Sequence, residues 1–488
     1  MRSWANFNIK IIIRLIGYLL IFEGFFMFLC LPFSWYYCGA GCNSLLISGL
    51  ITTGTGAILF FFTRKNIRKN IGKREGYIIV SITWIIISLF GTLPFIISGA
   101  IPNFTNAFFE TISGFTTTGA SVLSDIESLP KGILFWRSIT HWIGGMGIIV
   151  LSVAVLPVLG IGGMQLFMAE MPGPQPDKLH PRITETAKRL WAIYVLLTFV
   201  ETVFLIFGGM SFFNALCHSF GTMATGGFST QNDSITGYSP YIQYVVIVFM
   251  ILAGTNFTLH YYALHGKLKK VWQNEEFRYY FFLILIIGII ITSFLFVFNY
   301  GDFEKSFRDS LFQVVSIITT TGYVTSDYLI WPGGVLWVII FLLMFIGGSA
   351  GSTGGGMKII RQLLLFKNTI AEFKRAIHPN AVVTVKYNKK SVPQQIIFLI
   401  MAFFFTYIII FGFGTFVMTL FGLDFETAIG ATIASLGNIG PGIGNVGPTG
   451  NYAFIPTGGK WFLSFLMLLG RLELFTVLII LSPAFWKK

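Results

Sequence analysis

The chain has 488 residues, of which 54% are hydrophobic and only 11% charged, and its mean hydropathy is +0.75. That balance excludes a soluble domain and points to an integral membrane protein. The formal charge of +13 does not imply nucleic-acid binding, because the bases fall in loops between long apolar segments.

Arg2, Lys10 and Arg14 precede the first apolar run, and no small-residue cleavage site follows Phe28 or Cys30. The expectation is an uncleaved helix rather than a signal peptide. Four cysteines are too few for a disulfide scaffold, and Cys38 with Cys42 lacks the second Cys or His pair of a zinc site. If their loop is external, these two can form a small disulfide. Apolar segments of about 20 residues or more, enough to cross the hydrocarbon core, lie near 9–31, 44–63, 77–100, 133–159, 189–209, 240–263, 279–300, 333–366, 394–421 and 461–485. Ten spans are therefore expected. After the third, fifth, seventh and ninth comes a shorter half-apolar stretch that ends in a glycine turn. Too short to cross, each is expected to enter the membrane and return, which backbone tolerates only when buried in protein or lining a watery cavity. The resulting fold class is an all-α integral membrane protein: two N-terminal helices (1–70), then pore repeats at 71–165, 166–270, 271–375 and 376–488, the third with a broken second helix.

Of the 33 Lys and Arg, 27 fall before the first span, in 64–74, 178–189, 267–278 and 358–390, and at the C-terminus. All of these lie on one side, which the positive-inside rule makes cytoplasmic, with both termini there. The other side carries the turns and a set of acids including Glu110, Asp125, Glu127, Asp233, Asp327 and Asp424. A mildly acidic outer mouth would concentrate cations, although ordinary solvated loops account for part of that set.

The turns recur. Thr-Thr-Thr-Gly runs over 116–119 and 319–322, Ala-Thr-Gly-Gly over 224–227, and a divergent Gly-Asn-Ile-Gly over 437–440; Asn106, Asn214, Asp309 and Thr427 each stand thirteen residues before the glycine. Four copies around an axis would offer rings of backbone carbonyls that replace an ion's hydration shell without a full charge in the membrane. Glycine suits close approach to that axis, and the partly negative C-termini of the preceding helices would favour cations. For one turn, glycine-mediated helix packing is an equal alternative; four equal spacings argue against it. In the fourth copy Asn438 and Ile439 replace threonines and Pro441 follows, so symmetry there is approximate.

These turns, with Ala224–Ser229 (Ala-Thr-Gly-Gly-Phe-Ser), Gly347–Met357 and Gly470–Phe475 (Gly-Arg-Leu-Glu-Leu-Phe), resemble the superfamily of Trk, Ktr and HKT potassium transporters. The likeness runs over the whole chain, and the two extra N-terminal spans are similar to those of bacterial Trk membrane subunits. It implies one filter glycine per repeat, here Gly119, Gly227, Gly322 and Gly440; in the second repeat Gly226 also qualifies, but the spacing and the following Phe228 favour Gly227. The implied potassium-binding set is Thr117, Thr118 and Gly119; Thr225, Gly226 and Gly227; Thr320, Thr321 and Gly322; and Asn438, Ile439 and Gly440. Glycine at all four positions resembles the potassium-conducting pattern rather than the sodium-passing one.

Two features lie on the cytoplasmic side of the turns. The eighth span is interrupted by Gly347, Gly348, Ser349, Gly351, Gly354, Gly355 and Gly356, and each glycine in a helix interior costs about 1 kcal/mol. The helix should unwind there. A P-loop is excluded because the Gly-Lys-Ser/Thr ending and a preceding strand are missing. A plain kink is one reading; the resemblance implies a movable loop obstructing the pore. Arg471 lies eleven residues after Lys460, about 16 Å along a helix, near the midplane, where charge normally faces protein or water. It is either a structural ion pair with Glu23 or Glu201, or, as the resemblance suggests, an electrostatic barrier in the cavity. Glu473, two positions on, should face elsewhere. Arg137, His141 and the stretch from Gly144 to Gly147 open the fourth span and look like helix packing, and the six histidines show no metal spacing.

The expected function is potassium uptake across the bacterial inner membrane, with potassium as the transported ligand and no cofactor. By resemblance the partners are lipid, a second copy in a homodimer and a TrkA-like cytosolic nucleotide-binding ring docked on the basic loops, of which 358–392 is the richest. The alternatives are a secondary transporter of an organic solute, which would show inverted repeats, or a symporter coupled to protons or sodium. A membrane enzyme would need paired acids or a nucleophile with a base, and none is placed for it.

Overall fold

The structure, a computed structural model, describes residues 9–37, 41–63, 73–147 and 183–487. Within these the regular secondary structure is helical apart from a hairpin pairing Lys386–Tyr387 with Lys390–Ser391. Six helices are long and apolar enough to cross a membrane singly: Ile9–Tyr36, Cys42–Phe62, Arg74–Ile97, Ala187–Phe207, Glu275–Phe298 and Gln394–Leu420. Two bent pairs are long and apolar enough when taken together, Pro240–Ala253 with Phe257–Leu264 at 104° and Thr457–Arg471 with Phe475–Leu481 at 118°. The outer helices leave large apolar side chains such as Phe199, Ile289, Phe405 and Phe416 exposed, the surface that lipid covers.

Besides the bend in the sixth, three of the ten expected spans differ in detail. The fourth begins as Lys131–Trp142 and a π-helical turn over Ile143–Gly147, and its remainder lies outside the described residues, as does Cys38. The eighth is a helix of only ten residues, Gly334–Leu343, separated by the glycine segment from an amphipathic helix, Ile359–Ile377. The tenth stops at Arg471, because Glu473 and Leu474 both take positive φ, 54° and 56°. Arg471 therefore ends a helix instead of sitting inside one.

The four half-apolar stretches form the pore helices Phe104–Phe115, Phe212–Met223, Phe303–Ile318 and Phe425–Leu436. Three start in the same register. Asn103, Ser211 and Asp424 cap them by accepting from the amides of Asn106, Asn214 and Thr427 at 3.1, 3.3 and 3.0 Å. The recurrent residue thirteen before the glycine is thus the one whose amide is capped. The third pore helix begins earlier, at the cap Asp302, and Asp309 lies within it. Their C-terminal halves are buried in the core among residues such as Phe115, Met223, Ile318 and Leu436. All four stop short of crossing and feed into the glycine turns.

Candidate ion pathway

The four turns share one backbone. In each, the amide two residues past the last helical turn reaches back five residues: Thr118 to Ser113 (2.8 Å), Gly226 to Gly221 (2.8 Å), Thr321 to Ser316 (2.8 Å) and Ile439 to Ala434 (2.9 Å). The preceding residue is left-handed in every case, with φ of 52° at Thr117, 53° at Thr225, 60° at Thr320 and 54° at Asn438. This is a helix C-cap that elsewhere favours glycine or asparagine. Only the fourth repeat uses asparagine; a β-branched threonine there stores strain of order 1–3 kcal/mol, and such strain persists only when neighbours over-determine the conformation. The divergent fourth copy consequently takes the same shape as the others.

Two residues on, Gly119, Gly227, Gly322 and Gly440 are left-handed as well, at φ 82°, 77°, 79° and 97°. They also have no room for a side chain. A Cβ on Gly119 would fall on the carbonyl oxygen of Gly226, one on Gly227 on that of Thr321, one on Gly322 on that of Ile439, and one on Gly440 would lie 2.7 Å from that of Thr118. The contacts run from the first repeat to the second, third and fourth and back to the first. The turns thus form a closed ring in chain order, with backbone oxygens of Thr118, Gly226, Thr321 and Ile439 at every junction. Here Gly227, rather than Gly226, is the positional equivalent of the other three; Gly226 instead packs under the ring of His141.

Hydroxyls fasten the base of the ring. Thr116 Oγ1 lies 2.8 Å from Thr118 Oγ1, and Thr319 Oγ1 2.7 Å from Thr321 Oγ1. Asn438 Nδ2 donates to Thr118 Oγ1 and to the carbonyl of Met467, both at 2.9 Å, so the residue that breaks the threonine pattern joins the last repeat to the first. On the far side of the turns, the chain leaving the glycines lines a cavity of about 140 Å³ bordered by Gly119, Gly227, Gly322 and Gly440. Among the described residues no acid lines it; Arg137 is its charged side chain, and Asp125, Glu127 and Asp233 are exposed around it. The acidic mouth expected above is therefore a rim rather than a lining.

Against the opposite face of the ring lies the glycine segment. It is unwound from Met344 to Lys358, and its contacts are with the ends of the pore helices. Gly355 N–H donates to Thr320 Oγ1 at 2.7 Å, and Thr353 Oγ1 donates to the carbonyl of Met223 at 3.0 Å. A Cβ on Gly355 would lie 2.7 Å from the Gly437 oxygen, and one on Gly354 2.9 Å from that of Thr319. The loop thus fills the space toward which helix-end carbonyls point. Gly347 closes its neck by donating its amide N–H to Met357 O (2.9 Å), while Gly348 O accepts from Ile359 N at 3.2 Å. The amides of Ser349 and Ala350 bind Gly254 O at 2.9 Å and Glu276 at 2.7 Å. Gly351 and Gly356 are left-handed, at φ 77° and 63°. Lys358 Nζ donates to the Gly354 carbonyl.

Arg471 clasps this loop. Its guanidinium donates to Thr353 O at 2.8 Å and to the carbonyls of Gly144 and Gly145. No hydrogen bond joins it to Glu23 or Glu201, whose carboxyl oxygens lack such partners among the described residues. The glycines 144 and 145 do allow close packing, against Phe115 and Ala224, and the π-helical turn they occupy presents the accepting carbonyls. Glu473 pairs with Arg361, which the helix break makes possible. Thr353, Glu276 and His141 carry no motif in the sequence; only the tertiary contacts single them out.

Comparisons with known proteins agree with this geometry. The model of the family TrkH, a cation transport protein, matches residues 45–488. The chain is 43% identical over 489 residues to the Trk system potassium uptake protein TrkH of Salmonella typhimurium, covering 99% of this chain and 100% of that one. It is 38% identical over 433 residues to TrkG of Escherichia coli K12, 88% of each chain. The crystal structure of the potassium transporter TrkH from Vibrio parahaemolyticus superposes with a TM-score of 0.88 at 38% identity, covering 99% of this chain and all of that one. These relatives are transport proteins, which leaves the enzyme reading without support, and by sequence and fold alike the chain belongs to the TrkH family of cation transport proteins.

Proposed function

We propose that this protein takes up potassium across the bacterial inner membrane by channel-like conduction through the glycine ring. The observation that carries the reading is the closure of four identically folded turns, with a backbone carbonyl at each junction. Oxygens so placed replace a cation's hydration water without a formal charge in the membrane. Potassium as the ion is supported by the relatives that are 42–43% identical and named potassium uptake proteins. The ion gathers in the cavity beyond Gly119 and Gly322, sheds water at residues 117–119, 225–227, 320–322 and 438–440, and is stopped by the loop of 347–356. While Arg471 holds Thr353, the loop occupies the helix-end carbonyls and a fixed positive charge stands beside the path. Opening withdraws both.

The relatives are named as parts of a Trk system, and a cytosolic nucleotide-binding ring of the TrkA kind, docked on the basic loops including 358–392, is the partner we assign to opening. Both termini then face the cytoplasm and the assembly is a homodimer. Purified protein in liposomes should carry rubidium or potassium down its gradient, with reversal potentials that follow potassium alone. A reversal potential that tracks protons or sodium would replace conduction by coupled symport, and selective flux of an organic solute with none of these cations would overturn the reading.

A further inference from the structure

Nine residues before each ring glycine, on the pore helices, stand Glu110, His218, Gln313 and Ala431. In three repeats this side chain reaches across to the strand leaving the glycine. Glu110 accepts from Ser121 Oγ at 2.9 Å and from the Val122 amide at 2.8 Å; His218 Nε2 meets Ser229 Oγ at 3.0 Å; Gln313 Nε2 donates to the Ser326 carbonyl at 3.0 Å. In the fourth, Ala431 offers no polar group, and tyrosines take over: Tyr452 donates to Gly440 O at 2.7 Å and Tyr328 to Gly442 O at 2.6 Å.

The first repeat adds a charge. Arg137 Nε donates to Glu110 Oε1 at 2.7 Å and its Nη1 to the Ser229 carbonyl at 2.9 Å, so one buried ion pair joins the strands leaving Gly119 and Gly227. The guanidinium lies 3.5 Å from the centre of the Phe228 ring, and that ring stacks on His141 at 3.9 Å. Phe228 directly follows Gly227. Arg137 borders the cavity that an approaching cation fills, and Glu110 neutralises it there. A buried pair of this kind is weak evidence for net stability, whereas breaking it leaves an uncompensated charge.

We infer that Glu110, His218 and Gln313 are positioning residues that set the spacing of the glycine ring, and that the Glu110–Arg137 pair determines its ion selectivity while keeping the cavity electrically neutral. The inference rests on the ring being the selective element. A ring of backbone oxygens discriminates by ligand number and spacing, so releasing one exit strand lets the spacing relax.

The test is the potassium-to-sodium permeability ratio of the full-length protein in planar bilayers. Glu110→Gln puts an amide donor against existing donors and frees the charge of Arg137. The ratio should fall about tenfold, the scale set by losing hydrogen bonds to a charged group. Potassium flux should also fall more steeply at low ionic strength, since the freed charge is then least screened. Adding Arg137→Gln should remove that ionic-strength dependence without restoring the ratio, a signature that a purely structural role would not produce. If Glu110→Gln does not fold, uncharged Gln313→Met reads the same ratio, with a fall of about fivefold, as for a neutral bond, and no change in salt response. An unchanged ratio in the variants that fold overturns the inference. Gly322→Ser run alongside separates the two readings: if it alters the ratio while the brace variants do not, the ring selects without the braces, and if it too leaves the ratio unchanged, the ring is not the filter.

Discussion

Two glycine-rich segments meet at the centre of this protein, and they use glycine for opposite ends. The ring turns repeat four times with one backbone, each sealed by the same reach-back bond and wedged against the next repeat. The loop of 347–356 occurs once. It is held by contacts that differ in kind: a hydroxyl from Thr320, a carboxylate from Glu276, a guanidinium from Arg471. Four interlocked turns cannot move singly without breaking a junction, whereas the loop is fastened by a few side chains together with backbone bonds to Gly254 and Phe257, none of them repeated in the ring. In the function proposed above, the ring would select and the loop would switch.

That contrast can be broken most directly at the ring. Gly322→Ser adds an atom where the Ile439 carbonyl lies and forces a left-handed serine; selectivity for potassium over sodium should fall by about tenfold or more, given a strain of order 1–3 kcal/mol, as read from reversal potentials. Basal flux through the closed loop should change far less. At the loop the pattern inverts. Arg471→Ala removes charge-assisted bonds worth about 1.5–3 kcal/mol, so basal rubidium flux without a partner should rise about tenfold with the permeability ratio retained. Loss of folding instead would make Arg471 a structural residue. Thr353→Val deletes the neutral bond to Met223, worth about 1 kcal/mol, and should raise basal flux about fivefold; an unchanged flux would show that the hydroxyl does not hold the loop shut. The smallest effect is expected for Asn438→Thr, which restores the threonine pattern but gives up the bonds to Thr118 and Met467 and the asparagine preference for the left-handed cap. Thermal unfolding should shift down by about 1 °C, as about 1 kcal/mol implies for a chain of 488 residues, and selectivity should weaken only slightly. A gain in stability would mean that the fourth turn prefers the pattern of the others.

Much of this is legible in the amino-acid sequence. Ten apolar segments of spanning length in a chain with fifty-three phenylalanines call for lipid as solvent, and backbone in lipid must bond to itself, which leaves helices. The recurrence of the turns at equal spacing is likewise a property of the chain, because a capped pore helix of fixed length places its glycine at a fixed distance. Less accessible were the breaks. The tenth span reads as one apolar run, and nothing in Leu472 to Leu474 announces two left-handed residues; the bend follows from packing that draws Glu473 to Arg361 and Arg471 to Thr353.

The fate of each polar residue was hidden for the same reason. Glu110 reads from sequence as one acid among several at an outer mouth, and Arg137 as part of a packing helix, yet they meet 27 positions apart as a buried pair behind the ring. Local sequence governs period, capping and the need for left-handed backbone, since these depend on neighbours within a few residues. Which carbonyl lies where a Cβ would go at Gly119, and which side chain holds the loop against Thr320, depend on chain segments tens to hundreds of residues away. The chain therefore carries four similar turns in its own pattern, and only their closure against one another turns them into a single ring with the glycine loop packed beneath it.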